Sequence, residues 1–233
     1  TMPAELRVCK AATSEHLGCP RRNDVTESLV RLYERWGTGG FDYVITGNVM
    51  VDRSALEAPR NVVFDEGSDK AKIRRWAAAA KRDGATALVQ LSHPGRQSPL
   101  AASWARPVAP FETEGLRLSG VGVQLHRSPR VLRDPQRLVE KFVTAAQLAR
   151  DCGFDGVQLH AAHGYFLSQC LQKSTSFLMD LVDAVRPFSV KLNVSDFDEQ
   201  DVDCLCVLEL LDDRRVPIVE LSTGGTYATG MRC

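Results

Sequence analysis

The stretch Gly153-Phe-Asp-Gly-Val-Gln-Leu-His-Ala-Ala-His-Gly-Tyr-Phe-Leu-Ser-Gln169 decides the reading of this chain. Val157-Gln-Leu-His160 is a short β-type run, and Phe166–Leu171 reads as a short helix. Between them, His160 and His163 stand at i and i+3. Where a strand ends and a turn begins, that spacing can aim both rings at one atom. Upstream, Pro135 to Cys152 reads as an amphipathic helix with proline at its favoured first position.

The same alternation of strand and helix extends in both directions. Further strands are read at Leu6–Ala12, Tyr43–Thr46, Ala87–Leu91, Val190–Asn193 and Ile218–Leu221. An Asp24-x-x-Glu27 box precedes a helix with Leu29, Val30, Leu32, Tyr33 and Trp36 on its apolar face, ended by Gly37, Gly39 and Gly40. Other helices are read over Ser68–Arg82, Thr175–Val185 and Glu199–Leu211, with Trp36 and Trp76 as packing residues. A Pro, Gly and Ser-rich excursion at 92–135 holds short strands around Leu116–Leu118 and Val121–Leu125. Loops of that length in a folded domain are usually functional.

Alternating units of this kind argue for a parallel sheet covered by helices. No GxGxxG follows the first strand, which argues against a dinucleotide-binding Rossmann unit. Several strands end instead in polar residues: Ser14, Asn48, Gln90, His160 and Lys191. Polar groups at strand C-termini mark the functional face of a β/α barrel. A complete barrel has eight units and this chain shows six. The expected fold is α/β, an incomplete (β/α) barrel of the TIM type, in a single domain over 1–233 with 92–135 as a long capping loop.

Composition narrows the function. The chain has 233 residues, 44% hydrophobic and 25% charged, which suits one substantial core rather than disorder. Lys plus Arg and Asp plus Glu are 29 each, so the net charge is zero and a nucleic-acid partner is not expected. No apolar run approaches the roughly 20 residues of a membrane span, and the first ten residues have no signal-like region. A cytoplasmic protein with seven buried, reduced thiols is expected, Cys204-x-Cys206 lying in an apolar helical stretch. His160 and His163 have no third metal ligand at a recognised spacing, so no metal is assigned.

Three further segments join the first: Lys10-Ala-Ala-Thr-Ser-Glu15, Ile45-Thr-Gly-Asn-Val-Met-Val51 and Val89-Gln-Leu-Ser-His-Pro-Gly-Arg-Gln97. With Val190-Lys-Leu-Asn193 and Glu220-Leu-Ser-Thr-Gly-Gly-Thr-Tyr227, they resemble, in order, the old yellow enzyme family of FMN-dependent oxidoreductases. The resemblance implies that Ala12, Thr13 and Ser14 pack along the flavin, with the main chain at Asn48 near its ring. It implies that Gln90 bonds the pyrimidine edge and that Lys191 lies near N1 and O2. His160 and His163 would bind the carbonyl oxygen of an unsaturated substrate, and Tyr165 would protonate its α carbon. NADH or NADPH would be the reductant if FMN binds. His93 is expected to be structural or at the site rim, and His16 and His126 carry no assignable chemistry.

These roles agree with elementary chemistry. Enolate charge needs fixed donors, which two imidazole N–H groups supply in a water-poor pocket. A phenol with a reference pKa of about 10 is a protonated acid at neutral pH. The chain departs from the family pattern in three places. It starts almost at the first strand, without a β-hairpin floor. Only Gln172-Lys-Ser-Thr-Ser176 stands where the family has a long loop, and the chain stops after the sixth strand.

The family's last two units hold the FMN phosphate. Gly224 and Gly225 offer N–H groups, with Arg232 as the nearest cation in sequence. Losing a few charge-assisted bonds, at about 1.5–3 kcal/mol each, weakens binding by orders of magnitude. The cofactor-free alternative is an isomerase or cyclase that reuses the flavin cavity, or a non-catalytic remnant. The exposed first and sixth strands are expected to be covered by a homodimer or other partner, or by a tighter six-stranded closure.

Overall fold

The computed structural model describes residues 7–114, 127–195 and 204–223. In chain order the strands are β1 (Cys9–Lys10), β2 (Tyr43–Met50), β3 (Val62–Val63), β4 (Thr86–Ser92), β5 (Val108–Ala109), β6 (Arg130–Val131), β7 (Gly156–Ala161), β8 (Ser189–Ser195) and β9 (Ile218–Thr223). The helices are α1 (Glu27–Gly37), α2 (Lys70–Ala80), α3 (Leu100–Ser103), α4 (Pro135–Asp151), α5 (Phe166–Leu171), α6 (Ser176–Val185) and α7 (Cys204–Asp213). No helix among the described residues is long and apolar enough to cross a membrane.

The caps explain the helix starts. The Asp134 side chain accepts from Arg137 N ahead of Pro135, and Asp69 caps α2 through Ala71 N and Lys72 N. At α1 the expected box is displaced. Thr26, not Asp24, accepts from Leu29 N, because Asp24 is buried in an ion pair with Arg22 at 2.9 Å. The described part of α7 runs from Cys204, and residues 199–203 of the expected helix lie outside the described residues.

Six parallel strands form one sheet in the order β1-β2-β4-β7-β8-β9, with β3 pairing the end of β2. The path is open, so the tighter six-stranded closure does not form among the described residues: β1 and β9 each pair on one side only. Laid flat, five strand spacings of about 4.8 Å would separate these edges by about 24 Å. Yet the rings of Tyr43 at the start of β2 and Phe188 just before β8, three spacings apart in that order, meet with centroids 6.3 Å apart, so the sheet curls.

The two faces of the sheet differ in chemistry. Val44, Ala87, Val89, Leu91, Val157, Leu159, Val190 and Leu192 are buried in the apolar core, with Phe142, Ala146, Leu181 and Val182 of the helices. Trp76 sits centrally, edge-on to Tyr33, Phe64 and Phe154 at 5.2, 6.2 and 5.5 Å. Trp36, partly buried, packs under the Lys10 ammonium at 4.2 Å. The opposite face, the lumen of the curl, carries Gln90, Gln158, Ser189, Lys191 and Glu220, whose side chains bond one another.

Of the expected first strand Leu6–Ala12, Leu6 lies outside the described residues and the ladder covers Cys9 and Lys10; beyond Lys10 the chain is held by side chains instead. The β2/β4 register shifts between Ile45 and Asn48, a bulge that turns the Gly47 N–H outward to Glu15 Oε1 at 3.0 Å. Tyr33 donates its hydroxyl to the same carboxylate oxygen, and Lys10 Nζ donates to Ile45 O at 2.9 Å. A Cβ on Gly47 would lie 2.4 Å from both Thr13 O and Glu15 Oε2. Only glycine lets the 11–15 segment lie across the bulge.

The 92–135 excursion has structure of its own: a 3-10 turn at Gly95–Gln97, helix α3, and β5 pairing β6 in parallel. The short strands expected near 116–118 and 121–125, and His126, lie outside the described residues. Of the cysteines, Cys152 and Cys170 are buried as expected, whereas Cys9 and Cys206 are exposed and Cys19 and Cys204 are half-buried. Residues 224–233, with Cys233 among them, lie outside the described residues.

Gly47→Ala must push backbone apart rather than a flexible side-chain end alone. We expect a loss of about 1–3 kcal/mol, seen as a melting temperature lower by several degrees. An unchanged melting temperature would show that the 11–15 segment is not seated on this bulge.

Candidate active site

Strand β7 ends in a turn that the rest of the site depends on. His163 and Gly164 are both left-handed, with φ of 60° and 70°. For a histidine this conformation is uncommon and costs free energy, so the surroundings must hold it. They do so group by group. His163 N donates to Asn193 Oδ1 of β8 at 3.2 Å, and Gln97 Nε2 donates to His163 O at 2.8 Å. Gly164 N donates to Ser168 Oγ at 3.3 Å, and Gln169 Nε2 donates to Gly164 O at 2.7 Å. A Cβ at Gly164 would meet Gln97 Nε2 at 2.7 Å, so glycine is required twice over.

This turn groups three aromatic rings. The His160 ring lies between His163 and Tyr165, edge-on to both, with centroids at 5.0 and 4.8 Å. Tyr165 is buried at the N-cap of α5. Ala162 N donates to His160 Nδ1 at 3.3 Å, which makes Nδ1 the acceptor and leaves the proton on Nε2. His163 Nε2 and Ser222 Oγ of β9 are 2.8 Å apart.

Burial holds the His160 imidazole well below its usual range, and a proton on His163 or on Lys191 pushes it further down. Burial brings His163 down to about 4, with Lys191 adding and Glu220 opposing. Both rings are therefore neutral at pH 7. His93, by contrast, is structural. It is buried edge-on to Phe166 at 5.2 Å, and its Nδ1 accepts from Gly95 N at 3.1 Å.

One strand away, a polar ladder crosses the lumen. Gln90 Nε2 donates to Gln158 Oε1 at 2.7 Å, and Gln158 Nε2 donates to Ser189 Oγ at 3.0 Å and to Glu220 Oε2 at 2.9 Å. Lys191 Nζ pairs with Glu220 Oε1 at 2.8 Å and is the register partner of His160 through its strand. Asn48 is the register partner of Gln90, and its buried Oδ1 has no partner among the described residues.

The structure thus brings His160, His163 and Tyr165 together, places Lys191 beside them, and sets Asn48 beside Gln90. Ala12, Thr13 and Ser14 lie over the β2 bulge, with Ala12 and Ser14 half-buried and Thr13 exposed. They make no hydrogen bond to the His–Tyr cluster among those described.

Sequence reasoning assigned no role to Gln158, Asn193, Glu220 or Ser222, although all four lie in the quoted motifs. The available signal was parity: Gln158 and His160, Lys191 and Asn193, Glu220 and Ser222 are i, i+2 pairs, and each pair shares a strand face. A cavity of about 660 Å³ lined by Arg150, Asp183, Phe188 and Arg214 lies toward the strands' opposite ends and includes none of the expected site residues. Gly224, Gly225, Tyr227 and Arg232 lie outside the described residues.

Comparison with known proteins now bears on this geometry. The sequence pattern of the NADH:flavin oxidoreductase / NADH oxidase family matches residues 4–180. The "NADH-dependent flavin oxidoreductase iliE" of Neonectria sp. (strain DH2) is 32% identical, covering 95% of this chain and 34% of that protein. The protein of the same description from Hypocrea jecorina (strain QM6a) is 33% identical, covering 95% of this chain and 64% of the relative. The chain therefore spans between about a third and two thirds of these relatives' length. The two alignments run to 260 and 261 positions, more than the chain's 233 residues, so the relatives carry segments this chain lacks.

Among solved structures, the old yellow enzyme homologue of Zymomonas mobilis superposes with a TM-score of 0.80 at 22% identity. The match covers 96% of this chain and 71% of that one, and likeness at this identity speaks for the fold. An open six-stranded part of a β/α barrel and a sequence match over three quarters of the chain lead to one conclusion: the chain belongs to the NADH:flavin oxidoreductase / NADH oxidase family and has the fold of the old yellow enzymes.

Proposed function

We propose that the chain carries the substrate and flavin-ring end of an oxidoreductase that reduces an α,β-unsaturated carbonyl or quinone-like small molecule. The observation that carries this reading is the clustering of two neutral imidazoles and a phenol on one clamped turn, one strand from a cation and a carboxamide.

The residues suit the ring of FMN. The Gln90 carboxamide, the orphaned Asn48 Oδ1 and the Lys191 ammonium offer acceptors and a donor along one side of the lumen. Bound there, FMN would supply hydride to the substrate's β carbon after being reduced by NADH or NADPH. The described residues show no equivalent set for the phosphate.

The chain's own groups handle the rest of the reaction. His160 donates from Nε2 to the substrate carbonyl. His163, whose Nε2 lies 2.8 Å from Ser222 Oγ, is the second donor to the same oxygen in this reading. As negative charge grows on that oxygen, these prearranged donors hold it in a space from which Ala162, Tyr165 and Phe166 exclude water. Tyr165 passes its phenolic proton to the α carbon and regains one from solvent, so the C=C bond gains one hydride and one proton.

Three outcomes test this reading. The purified chain titrated with FMN should show saturable binding at micromolar concentrations, followed in the flavin absorption bands. No measurable binding would remove the flavin role and leave the cofactor-free isomerase or cyclase reading to be tested. Tyr165→Phe should lower turnover of an unsaturated ketone by about 10²–10⁴-fold while leaving flavin reduction by NADH unchanged. Equal turnover would exclude Tyr165 as the proton donor.

The third outcome concerns pH. Unfolded histidines titrate near 6.5, whereas folded His163 does so near 4. Between those values the unfolded chain binds more protons, so stability is full above 6.5 and is lost as pH falls toward 4, by about 1 kcal/mol per pH unit per histidine. Urea unfolding across pH 4.5–6.5 should show this slope, and His163→Gln should flatten it by one histidine's share. An unaltered slope would mean that His163 is not held neutral.

A further inference from the structure

The lumen ladder has a direction that its chemistry imposes. The Glu220 carboxylate can only accept hydrogen bonds, and both its oxygens are engaged, Oε1 by Lys191 Nζ and Oε2 by Gln158 Nε2. Gln158 must therefore turn its nitrogen toward Glu220, where the second N–H reaches Ser189 Oγ. Its oxygen is then left facing Gln90 at 2.7 Å, so Gln90 must present its own nitrogen to Gln158. The outcome is that Oε1 is the atom with which Gln90 can accept from a ligand. Gln90, Gln158 and Lys191 are 2%, 0% and 6% exposed, so water cannot readily re-pair a flipped amide.

We propose that Glu220 is a positioning residue for this end of the site. Through Gln158 it fixes which atom Gln90 offers, and through its other oxygen it holds the Lys191 ammonium alongside. The pair of groups so presented is one acceptor and one cationic donor. Its complement is a ring edge on which an N–H stands next to carbonyl oxygen, the imide pattern of a pyrimidine-like ring. This rests on the flavin reading above for the identity of the ligand, but the orientation of the two amides does not. Glu220 touches neither substrate nor ring in this account and acts only through Gln158 and Lys191.

Two measurements separate the parts. In the ligand-free chain labelled with ¹⁵N-glutamine, the Nε2 resonances of Gln158 and Gln90 should both shift along the acid titration of the Glu220 carboxyl carbon. A Gln90 resonance that ignores that titration would overturn the relay. This needs no variant and no flavin.

The second measurement compares FMN with its N3-methyl analogue by equilibrium titration. The wild-type chain should prefer FMN by about tenfold, the worth of one hydrogen bond from N3–H to Gln90 Oε1. Glu220→Ala should reduce the preference to within about twofold, because Gln158 and Gln90 are then free to flip. Discrimination that survives in Glu220→Ala would overturn the positioning role. Coupled titration in a chain that binds neither flavin would uphold the relay and sink the flavin reading instead.

Discussion

The left-handed turn at His163–Gly164 is the constraint on which the site depends. A non-glycine residue there costs of order 1–3 kcal/mol and persists only if its surroundings over-determine it. Here the surroundings are side chains from three places: Asn193 of β8, Gln97 of the 3-10 turn after β4, and Ser168 and Gln169 of α5. Each satisfies a backbone group that neither strand nor helix can reach. The same bonds that hold the strained residue also fix where β7 stops and α5 starts. His160, on the last regular turn of the strand, and Tyr165, at the helix cap, are thereby set edge-on at 4.8 Å. Strain and positioning are one feature of this structure.

Behind the turn, the apolar core and the candidate site use opposite faces of one sheet. The outward residues of β2, β4, β7 and β8 that form the apolar core against the helices are Val, Leu or Ala. Beside Ile45 and Leu88, the inward residues include amides, an ion pair and histidines, where a complete barrel would stack branched apolar side chains. An inner face of this kind gains little from burying apolar surface, so its geometry rests on hydrogen bonds. Each amide in the ladder has a bonded neighbour, which is the condition under which a buried polar network fixes one arrangement. The bulge at Gly47 joins the two faces: it brings Asn48 inward in register with Gln90, and it anchors the 11–15 segment through Glu15 and Tyr33.

Much of this was legible in the sequence, for identifiable reasons. Strand and helix alternation is a property of periodicity, and β4, β7, β8 and β9 fall where it places them. The His-Ala-Ala-His-Gly-Tyr block pointed to the ring cluster because three chemistry-bearing side chains lie within six residues. What escaped depended on partners distant in sequence. Leu6–Ala12 has strand composition, but nothing local says that the chain after Lys10 would be held to the β2 bulge through the Glu15 carboxylate instead of a ladder. Asp24 has the right spacing for a cap and lost that role to Thr26 because Arg22 holds it. Glu220 lies two residues before a recognised Ser-Thr-Gly-Gly, yet its importance appears only once β8 lies beside β9 in register.

The electrostatics of the cluster then argue about its chemistry. Lys191 lowers the proton affinity of both His160 and His163, and Glu220, although paired to Lys191, opposes this at His163. If that carboxylate were absent, the cation would stand unneutralised among buried dipoles; if the cation were absent, the rings would move toward protonation. Burial keeps the imidazoles uncharged, and Lys191 adds to this while its pairing with Glu220 avoids burying a net charge. A neutral imidazole N–H donates a hydrogen bond and holds its proton far more tightly than an imidazolium does. It can therefore stabilise growing negative charge on an oxygen without protonating it. In the proposed reaction that leaves the phenol of Tyr165 to give the proton, so binding and proton transfer would fall to different side chains on one turn.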